Sequence, residues 1–446
     1  MEVTDFSKGS IKKNILRLAM PMTLAQLINV LYNIVDRIYI GRMDGGNSLA
    51  LTGVGVCLPI ISIIIAFANL IGMGGAPLFS IERGKKDQKE AEYILGNCVV
   101  LLILCGIFLT ILVYAGKVPL LYLLGASKKT IGYADSYLSV YLLGNIFVML
   151  SLGLNNFINA QGFGRTGMWT VAIGAGVNII LDPLFIFTFG FGVRGAAMAT
   201  VISQAMATIW TFRFLLGKKA VVRIRRDRLC LQTKRVRRIL VLGLSGFTMA
   251  VTNSLVQIVC NASLIRYGGD VYVGIMTIIN SIREVVTMPV TGVGSGAQPV
   301  MGYNYGAGEN KRVKESISFM SAVLILYTLA VWGILFLFPH FFMGIFTNDK
   351  AVMQMGESCL HIYFFGFFFM ALQFSGQTTF TGLGFSKRAI FFSIFRKVII
   401  VVPLTLLLPL LVSSPVHGVF LAEPISNLIG GGVCFATMIF TVYNKL

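Results

Sequence analysis

Two aspartates stand in stretches that are otherwise almost entirely apolar: Asp36 in Tyr32-Asn33-Ile34-Val35-Asp36, and Asp182 in Asn178-Ile179-Ile180-Leu181-Asp182-Pro183. On a helix, residues four apart share a face, which sets Tyr32 beside Asp36 and Asn178 beside Asp182. A charge within an apolar span is costly, so an ionisable group placed there marks function by default. Asn155, Asn156 and Thr200 could add oxygens to the same pocket. Two carboxyls in one poorly solvated niche repel each other when both are ionised, so the pair suits taking up and returning a proton. With amide and hydroxyl oxygens around it, the same niche suits Na⁺, a hard cation that prefers oxygen ligands. The structural alternatives are an ion pair at Asp36 and a helix break at Asp182-Pro183. Arg37 is a poor partner for Asp36, because consecutive helix residues point about 100° apart.

Other charges in apolar stretches are open to two readings. Glu284, next to Arg283 and four residues from Asn280, is either a cation-attracting cavity wall or an ion-pair member. Glu423 lies beside Pro424 and has a substrate or relay role open to it. Arg396 and Lys397 lie a turn or two into their span and are expected to snorkel back to its end. The seven cysteines show no CxxC and no histidine at metal spacing, so neither a disulfide framework nor a zinc site is indicated. The three histidines, His340, His361 and His417, read as packed or interfacial.

These groups need elements to hold them, and the composition says which. Hydrophobic residues make up 56% and charged residues 12%, about half the charged share of a soluble protein. A spanning helix needs about 20 apolar residues. Twelve such segments are present: 15–40, 49–81, 91–115, 130–157, 166–189, 193–215, 238–265, 270–304, 313–337, 350–381, 388–411 and 415–442. The expected fold is therefore an all-α integral membrane protein. Pro21, Pro59, Pro289 and Pro403 predict kinks, since each removes a backbone donor. Residues Met1 to Lys13 read as a cytoplasmic lead-in. The net charge of +19 does not point to nucleic acid, because the basic residues cluster in short loops between spans. With both termini inside, 26 Lys and Arg fall on the inner side and seven on the outer, which orients the chain.

The plan runs twice. Gly72-x-Gly74-x-x-Pro77 with Gly84 recurs 222 residues on as Gly294-x-Gly296-x-x-Pro299 with Gly306. Val193-Arg194-Gly195 with Ile202-Ser203-Gln204 recurs 223 residues on as Val416-His417-Gly418 with Ile425-Ser426-Asn427, which sets Glu423 opposite Thr200. Between the copies, 216–237 is a long basic connection. It divides the chain into a first lobe (1–215), a cytoplasmic linker (216–237) and a second lobe (238–446). Its basic run suits anionic lipid head groups, or simply retention on the inner side. A duplicated membrane bundle with a site near the repeat interface is the usual layout of a secondary transporter. The glycine strings lack the Gly-Lys-Ser/Thr ending of a phosphate loop and suit close helix packing instead. No HExxH motif or paired catalytic histidine indicates an enzyme.

The stretches Pro21…Tyr32-Asn33-Ile34-Val35-Asp36, Asn155-Asn156, Gln161-Gly162, Asn178…Asp182-Pro183 and Pro289…Gly294-Ser295-Gly296-Ala297-Gln298-Pro299…Asn304 together resemble the multidrug and toxic compound extrusion (MATE) family, in particular its MepA-like bacterial exporters. The resemblance covers essentially the whole chain. It implies twelve helices in two pseudo-symmetric lobes, a cavity between them, and export of hydrophobic organic cations driven by H⁺ or Na⁺. It assigns ion coupling to Asp36, Asp182, Asn178, Tyr32, Thr200 and Asn155, with bending of the first helix near Pro21. Glu284, Gln161, Asn156, Met288 and Gln298 are expected to line the substrate cavity. Some family members carry coupling acids in spans 7 and 10. Here those spans offer Asn253, Gln257, Gln373 and Gln377 but no carboxylate, so coupling is expected in the first lobe, with H⁺ ahead of Na⁺ and no other metal or cofactor. A monomer in the bacterial cytoplasmic membrane, among its lipids, is expected. The alternative reading is a flippase for lipid-linked saccharides, which shares this architecture.

Overall fold

Continuous runs of Leu, Ile, Val, Phe and Ala with almost no charge, lacking the apolar–polar alternation of barrel strands, satisfy their backbone in lipid as helices, and helices are what form. The computed structural model describes residues 4–43, 49–347 and 349–446, so residues 1–3 of the predicted lead-in lie outside it. No β-strand forms among the described residues. In chain order the long helices are α1 (Ile11–Gly41), α2 (Leu49–Gly84), α3 (Gln88–Leu123), α4 (Ile131–Leu143 and Asn145–Ala160), α5 (Gly164–Thr188) and α6 (Gly192–Leu216). They continue as α7 (233–268), α8 (270–306), α9 (Asn310–Leu337), α10 (Lys350–Phe364 and Phe369–Gly382), α11 (Ser386–Leu411) and α12 (Pro415–Lys445). The twelve match the twelve apolar segments one for one. α4 and α10 are each bent within the span, by 57° and 48°. α7 and α8 follow one another directly, broken only at Gly269, whose φ of 72° is open to glycine and costly for other residues.

The prolines expected to kink their helices lie inside them. The two spans interrupted by a bent break are interrupted at Gly144 and at residues 365–368, away from these prolines. Three helices relieve proline by a short π-helical turn: Leu184–Thr188 directly after Pro183, Phe395–Val401 just before Pro403, and Asn427–Gly431 just after Pro424. A π turn widens the helix by one residue and absorbs the missing donor and the ring clash.

Contacts divide the chain into two compact units, and the division differs from a cut at the linker. One unit is Met20–Gly243 with Thr4 and Asp5; the other is Phe6–Ala19 with Leu244–Leu446. The first nine residues of α1 thus belong with the second repeat, and the first eleven of α7 with the first. The duplicated glycine frame explains this exchange. In the first unit a Cβ on Gly74 would lie 2.2 Å from the Ile239 carbonyl oxygen, and one on Gly243 would lie 1.7 Å from that of Leu70. In the second unit a Cβ on Gly296 would lie 2.7 Å from the Ala19 nitrogen. The start of α7 lies backbone to backbone on α2 at Gly74, and the start of α1 lies in the same way on α8 at Gly296. Lipid is as apolar as leucine, so such close packing, not exclusion from water, holds membrane helices together.

In the first unit the buried core runs through Ile60, Ile64, Phe79, Leu95, Leu102 and Phe157, with Phe79 and Phe157 edge to face at 5.3 Å. Large apolar side chains such as Ile111, Leu112, Leu410, Leu411 and Phe440 stay exposed, as lipid-facing residues must.

The basic linker is clasped by acids at the start of α3 and the end of α2. Glu90 takes a bidentate bond from Arg235, with Nε 2.9 Å from Oε1 and Nη2 2.5 Å from Oε2. Glu92, itself buried, pairs with Arg225 at 3.3 Å and Arg228 at 3.6 Å, and Glu82 pairs with Arg238 at 3.2 Å. The Tyr93 ring receives Arg228 and Arg235 at 4.6 Å and 4.2 Å from its centroid. Arg225, Arg228, Arg235 and Arg238 are therefore engaged within the protein. In the second unit Phe6 is buried, with its carbonyl accepting from Asn304 (3.3 Å) and Arg312 (3.0 Å).

Candidate functional site

α5 carries Asn178 and Asp182 on one face, one turn apart, and both are fully buried. The Asn178 amide is satisfied with its nitrogen donating to Asp182 Oδ2 at 2.9 Å and its oxygen accepting from the Thr200 backbone N–H at 3.3 Å. Thr200 comes from α6, which packs along α5. Its hydroxyl donates to the Ala196 carbonyl at 3.0 Å, the usual back-bond of a helical threonine. The Tyr32 phenol, on α1, and the Tyr137 phenol, on α4, both reach that hydroxyl.

Asp36, one turn beyond Tyr32 on α1, meets Asp182 carboxyl to carboxyl within hydrogen-bonding reach. Two ionised carboxylates are both acceptors, so this contact is a bond only with a proton between them. Asp36 Oδ1 is buried and has no donor of its own. The helices thus bring Tyr32, Asp36, Asn178, Asp182 and Thr200 together. Tyr137 belongs with them and was missed, because one tyrosine in an apolar span carries no signal of its own.

A cavity of about 430 Å³ opens onto this group. Asp36, Tyr32, Tyr137, Tyr141, Thr200 and Gln204 are among its polar lining, and Leu51, Leu58, Ile61 and Ile65 among its apolar lining. Asp36 faces the cavity and Asp182 lies behind it. A cation entering from the cavity therefore meets Asp36 first. The Asn178 oxygen is turned to the Thr200 N–H and so is not directed at the cavity. No three His, Cys, Asp or Glu side chains converge as a metal site among the described residues.

Other expected site residues lie elsewhere. The Asn155 oxygen points at α5 near Gly167, 3.2 Å from where a Cβ there would stand, which is about 16 Å along the helix from Asn178. Asn156 packs its amide against Gly72. Gln161, expected in the substrate cavity, is fully buried and accepts the Val222 N–H at 2.9 Å, so its role here is to anchor the linker. Pro21 sits in α1 two residues past the last residue counted with the second unit. Glu284 is exposed on α8, Met288 is buried, and Gln298 is half-buried against Gly382.

Arg396 and Lys397 do not snorkel. Both are buried in the second unit, where Lys397 Nζ lies 3.1 Å and 3.3 Å from the two Glu423 oxygens and Arg396 Nη1 lies 3.1 Å from Glu423 Oε1. They enter span 11 about 15 Å from its start, too deep for their side chains to reach back.

Two repeated helical units with a polar pocket built inside the bundle are the layout of secondary membrane transporters. The family model MatE matches residues 21–184 and 245–407, one match in each repeat. The chain belongs to the MatE family. It is 26% identical to the multidrug export protein MepA of Staphylococcus saprophyticus over 400 residues, which covers 89% of this chain and 87% of that one. Among solved structures, an outward-facing multidrug resistance MATE family transporter of the MOP superfamily superposes with a TM-score of 0.92 at 24% identity, over 100% of this chain and 99% of that one. A MATE protein in the bent conformation gives 0.93 at 24% identity, over 100% and 99%.

Proposed function

We propose that this protein is a secondary multidrug exporter that expels hydrophobic organic cations in exchange for H⁺, with Na⁺ the second candidate for the coupling ion. The observation that carries the reading is the contact between Asp36 and Asp182 at the edge of an apolar cavity, a contact that needs a bound cation to be favourable. In the cycle, a proton taken up at the pair favours release of the drug outside. Its loss inside then restores an anionic site that attracts the next organic cation. Drug and proton must favour different states, since a ligand that binds both states equally shifts nothing. The bias of 26 inner to seven outer basic residues supports a bacterial cytoplasmic-membrane protein with both termini inside. The relatives' description as multidrug export proteins supports the substrate class.

The test is ethidium efflux from vesicles under an imposed pH gradient, then under a Na⁺ gradient. Efflux that follows the pH gradient is the expected result, and efflux that follows neither removes the proposal. A second reading, a lipid-linked saccharide flippase, is favoured by one observation: Arg283, Arg396 and Lys397 converge on Glu423 in the second unit. Binding of lipid-linked sugar without dye efflux would select it.

A further inference from the structure

The second unit contains a pocket that is the repeat copy of the cavity beside Asp36, lined by more cations than acids. It measures about 110 Å³. Six of its lining positions answer lining positions of the first cavity at the repeat offset of 222 or 223. Ser254 answers Tyr32, Met276 answers Val54, Asn280 answers Leu58, Arg283 answers Ile61, Tyr363 answers Tyr141 and Glu423 answers Thr200. Duplication therefore preserved the hollow and changed its chemistry. The first copy is lined by Asp36 and Arg37, with Asp182 behind Asp36. The second holds one carboxylate, Glu423, facing three cations: Lys397 at 3.1 Å, Arg396 at 3.1 Å and Arg283 at 3.7 Å.

Against Glu423 alone, the three cations leave two positive charges in excess. Arg396 has a further acceptor in the Asn427 oxygen, at 2.5 Å. Lys397 spends its contacts on the two oxygens of Glu423. Arg283 reaches Glu423 only at 3.7 Å, keeps about a third of its side chain exposed and lines the hollow with Lys397. Glu284, adjacent in the chain and exposed, acts electrostatically on Arg283 and offsets one of these charges, which leaves one in excess. Side-chain amides of Asn253, Gln257, Asn261 and Asn280 complete the wall and can donate N–H groups. Uncompensated buried charge within a membrane span is strongly unfavourable, and a guanidinium with free donors matches an oxyanion in geometry. The hollow is several times the roughly 10–15 Å³ that a single water requires, so a group of several heavy atoms fits.

We propose that this pocket binds one small anionic group, a carboxylate or a phosphate, between Arg283 and Lys397 and across from Glu423. The group comes either from a free anion or from the head group of a lipid. The assignment does not depend on the transport reaction and stands whichever ion drives it.

The experiment measures thermal unfolding of the purified full-length protein. In delipidated detergent, sodium acetate and sodium phosphate are titrated at constant ionic strength against sodium chloride, a monatomic anion that offers a guanidinium no pair of oxygens. In a second arm, nanodiscs of phosphatidylglycerol are compared with nanodiscs of phosphatidylcholine. A saturable rise in the midpoint with acetate or phosphate, absent in Arg283→Gln, supports a free-anion site. A rise confined to phosphatidylglycerol and absent in Arg283→Gln supports the same site filled by a head group. Glu423→Gln removes the carboxylate that competes with the ligand, and its apparent affinity is expected to rise about tenfold. If that variant does not fold, the wild-type and Arg283→Gln titrations decide alone. No shift of the wild-type midpoint in either arm, or equal shifts in wild type and Arg283→Gln, overturns the proposal.

Discussion

A methyl group added at Gly74 would stand 2.2 Å from the Ile239 carbonyl oxygen and 2.8 Å from the Gly243 nitrogen. Ordinary contact begins near 3.4 Å, so α2 and the start of α7 have to separate by about 1.2 Å to admit it. At Gly243 the same reasoning demands about 1.7 Å, and at Gly296, against Ala19, about 0.7 Å. In each case the obstacle is backbone, so no rotamer change relieves the clash. Overpacking costs about 1–3 kcal/mol when side chains can yield. Gly74→Ala is therefore expected at or above about 3 kcal/mol, a loss of roughly two orders of magnitude in the ratio of folded to unfolded protein. Gly296→Ala is expected to cost about half of that. Gly176 lies inside α5 with nothing within 4 Å of an added Cβ, so Gly176→Ala reports only the change in helix preference, about 0.5–1 kcal/mol in favour of alanine. Thermal unfolding in detergent, followed by size-exclusion chromatography, should rank Gly176→Ala at or above wild type, then Gly296→Ala, then Gly74→Ala, with Gly243→Ala at the bottom. If Gly74→Ala melts with the Gly176→Ala control, the helices do not meet as described and the account of the duplicated frame fails.

Asp36→Asn should abolish dye efflux while leaving normal amounts of protein in the membrane, and normal drug resistance in cells carrying it would refute the coupling role. Asn178→Ala removes a 2.9 Å bond to Asp182 and a 3.3 Å bond from Thr200. Hydrogen bonds to a charged group contribute about 1.5–3 kcal/mol, so initial efflux rates should fall roughly 10- to 150-fold; a rate within twofold of wild type would detach Asn178 from the mechanism. Glu92→Gln weakens the hold on Arg225 and Arg228, and trypsin should then cut the linker several times faster in a time course on gels. Unchanged cleavage would show that the remaining contacts suffice.

The span pattern was legible because lipid demands one simple thing, an unbroken apolar run. α7 begins at Thr233, ahead of that run, because its first turn is charged and hydropathy does not count it, whereas α3 continues to Leu123 past Lys117 and Pro119, which break the apolar run without ending the helix. The i−4 pairs at Asp36 and Asp182 were legible from helical geometry alone. Their mutual approach was not, since it depends on how α1 meets α5. The glycine frame announced close packing without naming its partner, because each partner comes from the other copy of the repeat. Gln161 misled for a related reason: its acceptor role at Val222 is set by where the linker folds back. The Glu423 cluster had a signal that went unused. Glu423 occupies the position of Thr200, and two adjacent cations lay too deep in their span to be surface residues.

The exchange of helix beginnings has a practical meaning for anyone wishing to study the halves apart. A fragment that stops before the linker would lack the eleven residues of α7 that cover Gly74, and would carry fourteen, Phe6–Ala19, whose seat at Gly296 is gone. The complementary fragment inherits the opposite defect. Each repeat is thus completed by a piece of its sibling, and gene boundaries drawn at the connecting loop would separate two incomplete bodies.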